Sequence, residues 1–451
     1  MTNLTFELKN SVSTKIAIVG LLTLLLLIPV AMINETIHDR KRTASEAEAN
    51  IMQSWGGRQL VSGPILVIPY EVNRVRRSGE LVLETGQLHM LPSTLDVDAT
   101  LQTEVRHRGL YEVPVYTANT TMTARFDAPS TKGLGIADAL VHWDRAYIAM
   151  SLTDPRATRK APTMTWADRS TRFESGGTRI RYLPPQLVAE IDHFEEPANR
   201  DKPLDVRIAF DLSGTRNFDI RALGDETTVT MRADWADPSF QGDYLPEAYE
   251  ITDGGFSAEW RATGLGRSLP VRWLEGELGS DAVLDSELGV ELFQPVGLYT
   301  LTDRATKYGI LFIGLTFVAY FLFEVLGGLR VHPLQYLLVG FANAIFYLLL
   351  LSFAEHIGFA SAYLLSALAS VGMITGYSQV ILRSRGKALV MLFVLTALYV
   401  FLFLTLNAET YALLVGSIGL WVVLAAIMYL TRRIDWYAVG KPSNGQKEMV
   451  L

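Results

Sequence analysis

Apolar runs long enough to cross a bilayer are spread unevenly along this chain: one lies near the N-terminus, about 275 mostly polar residues follow, and five crowd the last third. A bilayer core accepts roughly 20 apolar residues per helix, and a lipid-exposed backbone must satisfy its own hydrogen bonds as a helix or a closed barrel. The pattern predicts six transmembrane helices, at 16–33, 309–329, 334–353, 359–382, 388–406 and 411–430, with a large domain between the first and the second.

The short connections favour one orientation. With the N-terminus cytoplasmic, the inner links hold Arg330 with His332, then Arg383, Arg385 and Lys387, then Arg432 and Arg433, while the outer links hold Glu355 and Glu409. All short-loop Arg and Lys then face the cytoplasm, as the positive-inside bias requires. Arg40, Lys41 and Arg42 fall on the other side, but long domains translocate largely regardless of charge. Residues 1–15 and 431–451 are expected in the cytoplasm and 34–308 outside it. Lys9 and Lys15 resemble the positive region of a signal peptide. The 18-residue run and the sequence Val30-Ala31-Met32-Ile33 offer no small-x-small cleavage site, so 16–33 reads as an uncleaved anchor.

The chain carries 40 Lys+Arg and 47 Asp+Glu, of which ten basic and six acidic residues lie outside 34–308. The outer domain thus holds 30 basic and 41 acidic residues, a net charge of −11. That balance argues against nucleic acid as a partner, and against direct docking of the domain on anionic headgroups. The absence of cysteine excludes disulfides, thiol catalysis and Cys-ligated metals.

Within the domain, 34–58 has helix formers and reads as a stalk continuing the first span. Beyond Gly56-Gly57 the texture becomes β: Leu60-Val61, 65–70, 81–83, 95–105, 111–116 and 120–126 alternate between Gly, Pro, Asn and Asp breaks. A shift of 109 residues lays 95–149 over 204–258 with twelve identities in 55, including Leu95-Asp96-Val97 on Leu204-Asp205-Val206 and Pro129-Ser130 on Pro238-Ser239. The expectation is a duplication, giving two related β-sandwich-like lobes at 59–194 and 195–308, followed by a five-helix bundle at 309–430.

Catalytic signatures are not evident. The chain has no Gly-x-Ser-x-Gly, His-Glu-x-x-His, P-loop or dinucleotide fingerprint. Ser384-Arg385-Gly386-Lys387 matches Ser-x-x-Lys but lies in an expected cytoplasmic link without partner motifs. Among the seven histidines, His193 is the one with close acidic neighbours, in Asp192, Glu195 and Glu196, and would need further ligands to hold a metal. No cofactor or metal and no enzymatic activity are expected. In 235–261, Asp237, Asp243, Glu247, Asp253 and Glu259 have no spacing that would define an acid/base pair. The aromatics Trp235, Phe240, Tyr244, Phe256 and Trp260 are either core or a ledge for an envelope partner.

Ionisable and polar residues inside a membrane are costly and therefore candidates for function. Glu324 lies in the second span, Gln335 and Asn343 in the third, and Glu355-His356 at its outer end. They either line a path from His332 and Glu324 past Asn343 to Glu355, or snorkel, pair with Arg330 and bond between helices. Ala362, Ser366 and Ser370, with Gly372-x-x-x-Gly376, indicate close helix packing in the fourth span. No inverted repeat typical of transporters is visible in five spans plus one separate anchor.

Several segments taken in order resemble a known family. They are Leu24-Leu25-Leu26-Leu27-Ile28-Pro29, Val61-Ser62-Gly63-Pro64, Pro238-Ser239-Phe240, Tyr244-Leu245-Pro246, Gly255 to Arg261, Lys307 to Phe317, His332 to Gly340 and Glu355 to Phe359. Together they resemble the CreD family of Gram-negative inner-membrane proteins over nearly the whole chain. The resemblance implies membership of a regulon under a two-component sensor, with a role in envelope integrity and in the response to β-lactams and colicins. It supplies a process and no catalytic residues.

Two functional readings follow. One is a non-enzymatic envelope-maintenance protein, held in the bilayer, whose periplasmic domain binds an unidentified envelope partner. The other is a transporter or channel using Glu324, Asn343 and Glu355.

Overall fold

The computed structural model describes residues 12–75, 81–134, 136, 140–177, 180, 183, 185–266, 269–277, 286–292, 297–327, 331–408 and 411–434. The expectations concerning Lys9, Arg330, Glu409 and the tail beyond 434 lie outside the described residues. The chain divides into two compact units, Ser45–Pro295 and the pair of segments Met1–Ala44 and Val296–Leu451.

The first unit is helical. It begins with α1 (Val12–Leu25) and α2 (Leu27–Trp55), the latter up to Ala44, continues through α3 (Leu298–Lys307), and holds α4 (Gly309–Gly327), α5 (Pro333–Ile357), α6 (Phe359–Ile381), α7 (Arg385–Asn407) and α8 (Ala412–Thr431). Six helical spans among the described residues are long and apolar enough to cross a membrane, close to the six ranges expected, with α1 and α2 reading as one. The break between α1 and α2 at Leu26 has a covalent cause. Pro29 has no N–H to give the carbonyl one turn back, and its ring crowds that turn.

The first span is not a separate tether. Leu26 and Val30 are buried in the same apolar core as Phe317, Phe346 and Tyr347. At Gly340 of α5 a Cβ would stand 2.0 Å from Leu26 Cδ1, so only glycine leaves room for that side chain. The kink and the glycine belong to two of the sequence segments above, and here they fit together. α8 is the opposite case, with no buried residue and its packing confined chiefly to α7.

The second unit is a sandwich of two sheets. The nine-stranded sheet runs β13 (Pro238–Gly242), β17 (Glu287–Leu292), β11 (Asn217–Arg221), β1 (Gln59–Val75), β5 (Tyr147–Leu152), β9 (Gln186–Glu190), β8 (Glu174–Gly177), with β2 (Leu81–Met90) also on β1 and β16 (Arg272–Leu274) on β2. The eight-stranded sheet runs β14 (Ala248–Thr252), β15 (Gly255–Thr263), β12 (Glu226–Ala233), β3 (Thr94–Arg108), β4 (Tyr111–Phe126), β10 (Leu204–Thr215), β6 (Thr163–Trp166), β7 (Arg169–Arg172).

Alternation decides which face each strand buries. β3, β10, β12 and β15 turn every second residue into the core between the sheets and the others outward, the pattern of a sheet wetted on one side. β5 is buried at all six positions because both of its faces are covered. Ile148, Met150 and Leu152 join Leu66, Ile68 and Tyr70 of β1 in the main core, while Tyr147 and Ala149 join Ile65 and Val67 in a second core with Trp273 and Leu269. The segment Val61-Ser62-Gly63-Pro64 forms a bulge in β1 against β5. Gly63 there has φ +122°, and a Cβ would meet Ala149 O at 3.0 Å.

The two-lobe expectation is corrected by strand order. Each sheet takes strands from both sides of residue 194, and one core holds Leu95, Val97 and Met122 together with Leu204, Val229 and Trp260. The strands matched by the 109-residue shift also do not correspond. β5 lies in the larger sheet and its counterpart β15 in the smaller one. β3 and β4 are antiparallel neighbours, whereas β10 and β12 are separated by both of them. The twelve identities thus mark no structural repeat; strand faces draw on the same few residue types.

Candidate functional site

In the membrane unit the expected polar residues resolve into two ends and a middle. At one end, Lys15 of α1 donates to Glu324 of α4 in an ion pair, and the Tyr336 hydroxyl of α5 donates to the second carboxylate oxygen at 3.1 Å. Glu324 is 5 % exposed, so a bare carboxylate there would be expensive. Its partner is Lys15; the Arg330 considered from sequence lies outside the described residues. Gln335 is not part of this cluster. Its side chain accepts from the His332 N–H at 2.9 Å while His332 Nδ1 accepts from Leu334 N–H, which caps the start of α5.

At the other end, Glu355 of α5 accepts from the Tyr299 hydroxyl of α3 at 3.2 Å and lies 3.6 Å from Arg40 Nε. The cationic cluster after the first span therefore has one role legible in space: Arg40 neutralises a carboxylate that is 8 % exposed. His356, in the last turn of α5, is exposed.

The middle is aromatic. Asn343 Oδ1 accepts from the Tyr399 hydroxyl at 3.1 Å, and Tyr363 donates to Tyr399 O at 2.6 Å. Phe346 meets Tyr347, Tyr363 and Tyr399 edge to face at 4.8–5.4 Å. Tyr336 and Glu355 are 19 residues apart on α5, about 28 Å at 1.5 Å per residue. Buried rings lie between the two carboxylates, and Glu324, Gln335, Asn343 and Glu355 each engage a neighbouring helix or cap. Ser384 likewise acts as the N-cap of α7, accepting from Lys387 N–H at 3.4 Å.

In the β unit the aromatic segment is mostly structural. Phe256 and Trp260 are 5 % and 0 % exposed, because both project from β15 into the main core. They present no surface to a partner, which corrects the ledge reading at those two positions. Trp235, Phe240 and Tyr244 are half-buried against that core. Phe240 of β13 meets Phe256, Trp260 and Tyr249 at 5.7, 5.6 and 5.4 Å, joining the end strands of the two sheets. The exposed apolar side chains here are Leu245, Tyr249 and Ile251, which sequence reasoning had passed over. All five residues of β14, the end strand of its sheet, are exposed.

The carboxylates of this segment hold the structure. Asp243 Oδ2 accepts from the Ser286 and Glu287 N–H groups at 2.8 and 3.0 Å, and Glu259 binds Arg261 at 2.8 Å. His193 sits 3.2 Å from Glu196. No cluster of three or more His, Asp or Glu side chains suited to a metal occurs among the described residues.

His89 and Asp219, outside every motif, are titratable groups shifted by their surroundings. His89 stacks on Trp273 at 5.2 Å, and burial pushes its imidazole down to about 4. Asp219 of β11 faces Gly289 of β17, where a Cβ would meet its Oδ1 at 2.2 Å. Burial, reinforced by the Glu287 and Glu291 carboxylates and opposed by Arg58, pushes Asp219 up to about 7. Glu287 in turn pairs with Arg221, and Arg216 bridges Glu291 and Glu48 at 3.6 and 3.3 Å.

A six-span helical unit carrying a large two-sheet β unit between its first and second spans defines a polytopic membrane protein with an inserted β domain. The chain belongs to the family of the inner membrane protein CreD, whose family model matches residues 11–437. It is 34% identical over 430 residues to the inner membrane protein CreD of Escherichia coli strain K12, covering 93% of this chain and 92% of that protein. Among solved structures, the M1 zinc metallopeptidase of Deinococcus radiodurans aligns with 45% of this chain and 41% of its own at 11% identity and a TM-score of 0.22, which establishes no shared fold.

Proposed function

We propose that this inner-membrane protein maintains the cell envelope without catalysis, by binding an envelope partner through a β unit that faces the periplasm. Both chain ends then lie in the cytoplasm. The observation that carries the reading is the end strand β14, exposed at all five positions and bearing Tyr249 and Ile251. Such an edge offers unpaired backbone groups for β-strand addition and side chains for selectivity. The orientation rests on the one-sided Arg and Lys of the short links. The family resemblance supports a role in the response to envelope stress and β-lactams.

The chain has no cysteine, so single-cysteine variants report topology cleanly. Cysteines at Tyr249 and at Arg383 should be labelled from the outside and from the inside, respectively. A photo-crosslinking residue at Tyr249 or Ile251 should capture a defined envelope protein that an identical probe on the outward face of β3, at Thr100, does not. Equal capture at both positions would overturn the edge as a docking surface.

The transporter reading has less support, because Glu324, Asn343 and Glu355 each hold a neighbouring element. It gains if Glu324→Gln or Glu355→Gln abolishes envelope protection at unchanged abundance while Tyr249→Lys does not.

A further inference from the structure

An apolar cleft of about 890 Å³ lies among α4, α7 and α8. Leu322, Val394, Ala397, Phe401, Gly419 and Ile427 are among the side chains lining it, and every residue of the lining is apolar. Its α4 wall runs from Leu315 to Leu326 and its α7 wall from Val390 to Phe401. Each spans 11 residue steps, about 17 Å, roughly half of a ~30 Å hydrocarbon core, while the α8 wall from Val415 to Leu430 spans 15 steps, about 23 Å. Leu326 and Leu430 lie at the last turns of α4 and α8, so the cleft opens at the end where α7 begins. Deeper in, the Phe401 ring sits on Gly419, where a Cβ would be 2.2 Å from it.

Charge marks the open end. The lining stripe of α7, Val390, Val394 and Ala397, extends back by helical spacing to Lys387. The stripe of α8, Ala426 and Leu430, extends forward to Arg433. Neither cation is engaged in an ion pair among the described residues.

From these features we infer a binding site for an anionic phospholipid: its acyl chains fill the cleft among α4, α7 and α8, and its headgroup phosphate is held by Lys387 and Arg433. The two cations at one end of an otherwise apolar cleft favour an anionic lipid over a helix of a second copy. The all-apolar lining suits acyl chains, and juxtamembrane Lys and Arg attract anionic headgroups.

The test is native mass spectrometry of the full-length protein, delipidated in mild detergent and titrated with phosphatidylglycerol or phosphatidylcholine. Phosphatidylglycerol should be retained about thirtyfold more strongly, a gain expected of two juxtamembrane cations. Lys387→Gln with Arg433→Gln should bring the two lipids within about twofold, with the melting temperature of the lipid-free protein unchanged. Ala397→Leu, which adds volume inside the cleft, should lower retention of both lipids. Equal retention of both lipids by the native protein would overturn the inference, as would a preference untouched by the charge variants. So would a mass corresponding to a dimer whose Ala397→Cys copies crosslink to each other through α7.

Discussion

Lys15 and Glu324 are 309 residues apart in sequence and form an ion pair between the first helix and the fourth. The pair explains how a carboxylate that is 5 % exposed is tolerated in an apolar helix, and why the first span is part of the bundle. Removing one partner strands the other. Glu324→Ala should lower the stability of the detergent-solubilised protein by about 1–3 kcal/mol, less than a deeply buried pair because Lys15 is one-third exposed. The double variant Lys15→Met with Glu324→Leu should recover most of that loss. A double-mutant cycle on thermal unfolding measures the coupling, and strict additivity would contradict the pairing.

Leu26 and Gly340 form a knob and notch. Gly340→Val places a branched side chain where Leu26 Cδ1 stands, and overpacking of this kind costs about 1–3 kcal/mol. Leu26→Ala should relieve Gly340→Val, giving a double variant more stable than Gly340→Val alone. Unfolding monitored by tryptophan fluorescence, or expression level at matched transcription, reads the order of the three proteins.

The aromatic residues of 235–261 divide by burial. Trp260→Ala opens a cavity in the main core and should cost about 3–5 kcal/mol. Tyr249→Ala or Ile251→Lys on the exposed strand β14 should shift stability by under about 0.5 kcal/mol. These surface variants should reduce crosslinking to an envelope partner while the fold persists. A Trp260→Ala protein with unchanged hydrogen-exchange protection would contradict the packing described.

Two groups give the β unit opposing pH dependences. His89 is pushed down to about 4, so its contribution is complete above its ordinary range near 6.5 and is lost as pH falls through 4. At about 1.4 kcal/mol per unit the full loss is about 3 kcal/mol. Asp219 is pushed up to about 7, so its contribution is present below the ordinary carboxylate range and is lost as pH rises through 7. The two windows overlap from about pH 4 to 6.5, where slopes of equal size and opposite sign cancel, so hydrogen exchange of the β unit in the full-length protein should show nearly constant protection there and a modest fall from about pH 6.5 to 7.5. Asp219→Asn should uncover the His89 limb, so that protection in the variant rises from about pH 4 to 6.5 and then levels off; a variant that follows the native curve would refute the assignment.

The sequence was a good guide where structure is local. Twenty-residue apolar runs located the spans because lipid leaves a backbone few alternatives, and alternation located β1 to β4 because one face of each strand must be wet or differently buried. It was a poor guide to partners. Nothing near Lys15 announces Glu324, and nothing in Arg40-Lys41-Arg42 announces Glu355 and Tyr299. The aromatic segment was visible, but whether Trp260 faced the core or a partner depended on the parity of β15 in a sheet not yet assembled. The repeat at 109 residues misled for the same reason: strands of similar composition can occupy different sheets.

The interleaving of strands bears on how the protein comes into being. β1 begins at Gln59, yet its parallel neighbour β11 begins at Asn217 and the strand beyond it, β17, ends at Leu292. A chain emerging in order from the ribosome can pair most of β1 early, with β2 and then β5, but the start of the strand, Gln59–Val61, waits some 160 residues for β11, and pairings so distant in sequence form slowly. The closing strand arrives six residues before α3 begins at Leu298, and the returning helices follow at once. Biosynthesis therefore delivers the final piece of the sandwich and the first of the returning helices nearly together, so the β unit closes only as the chain is about to turn helical again.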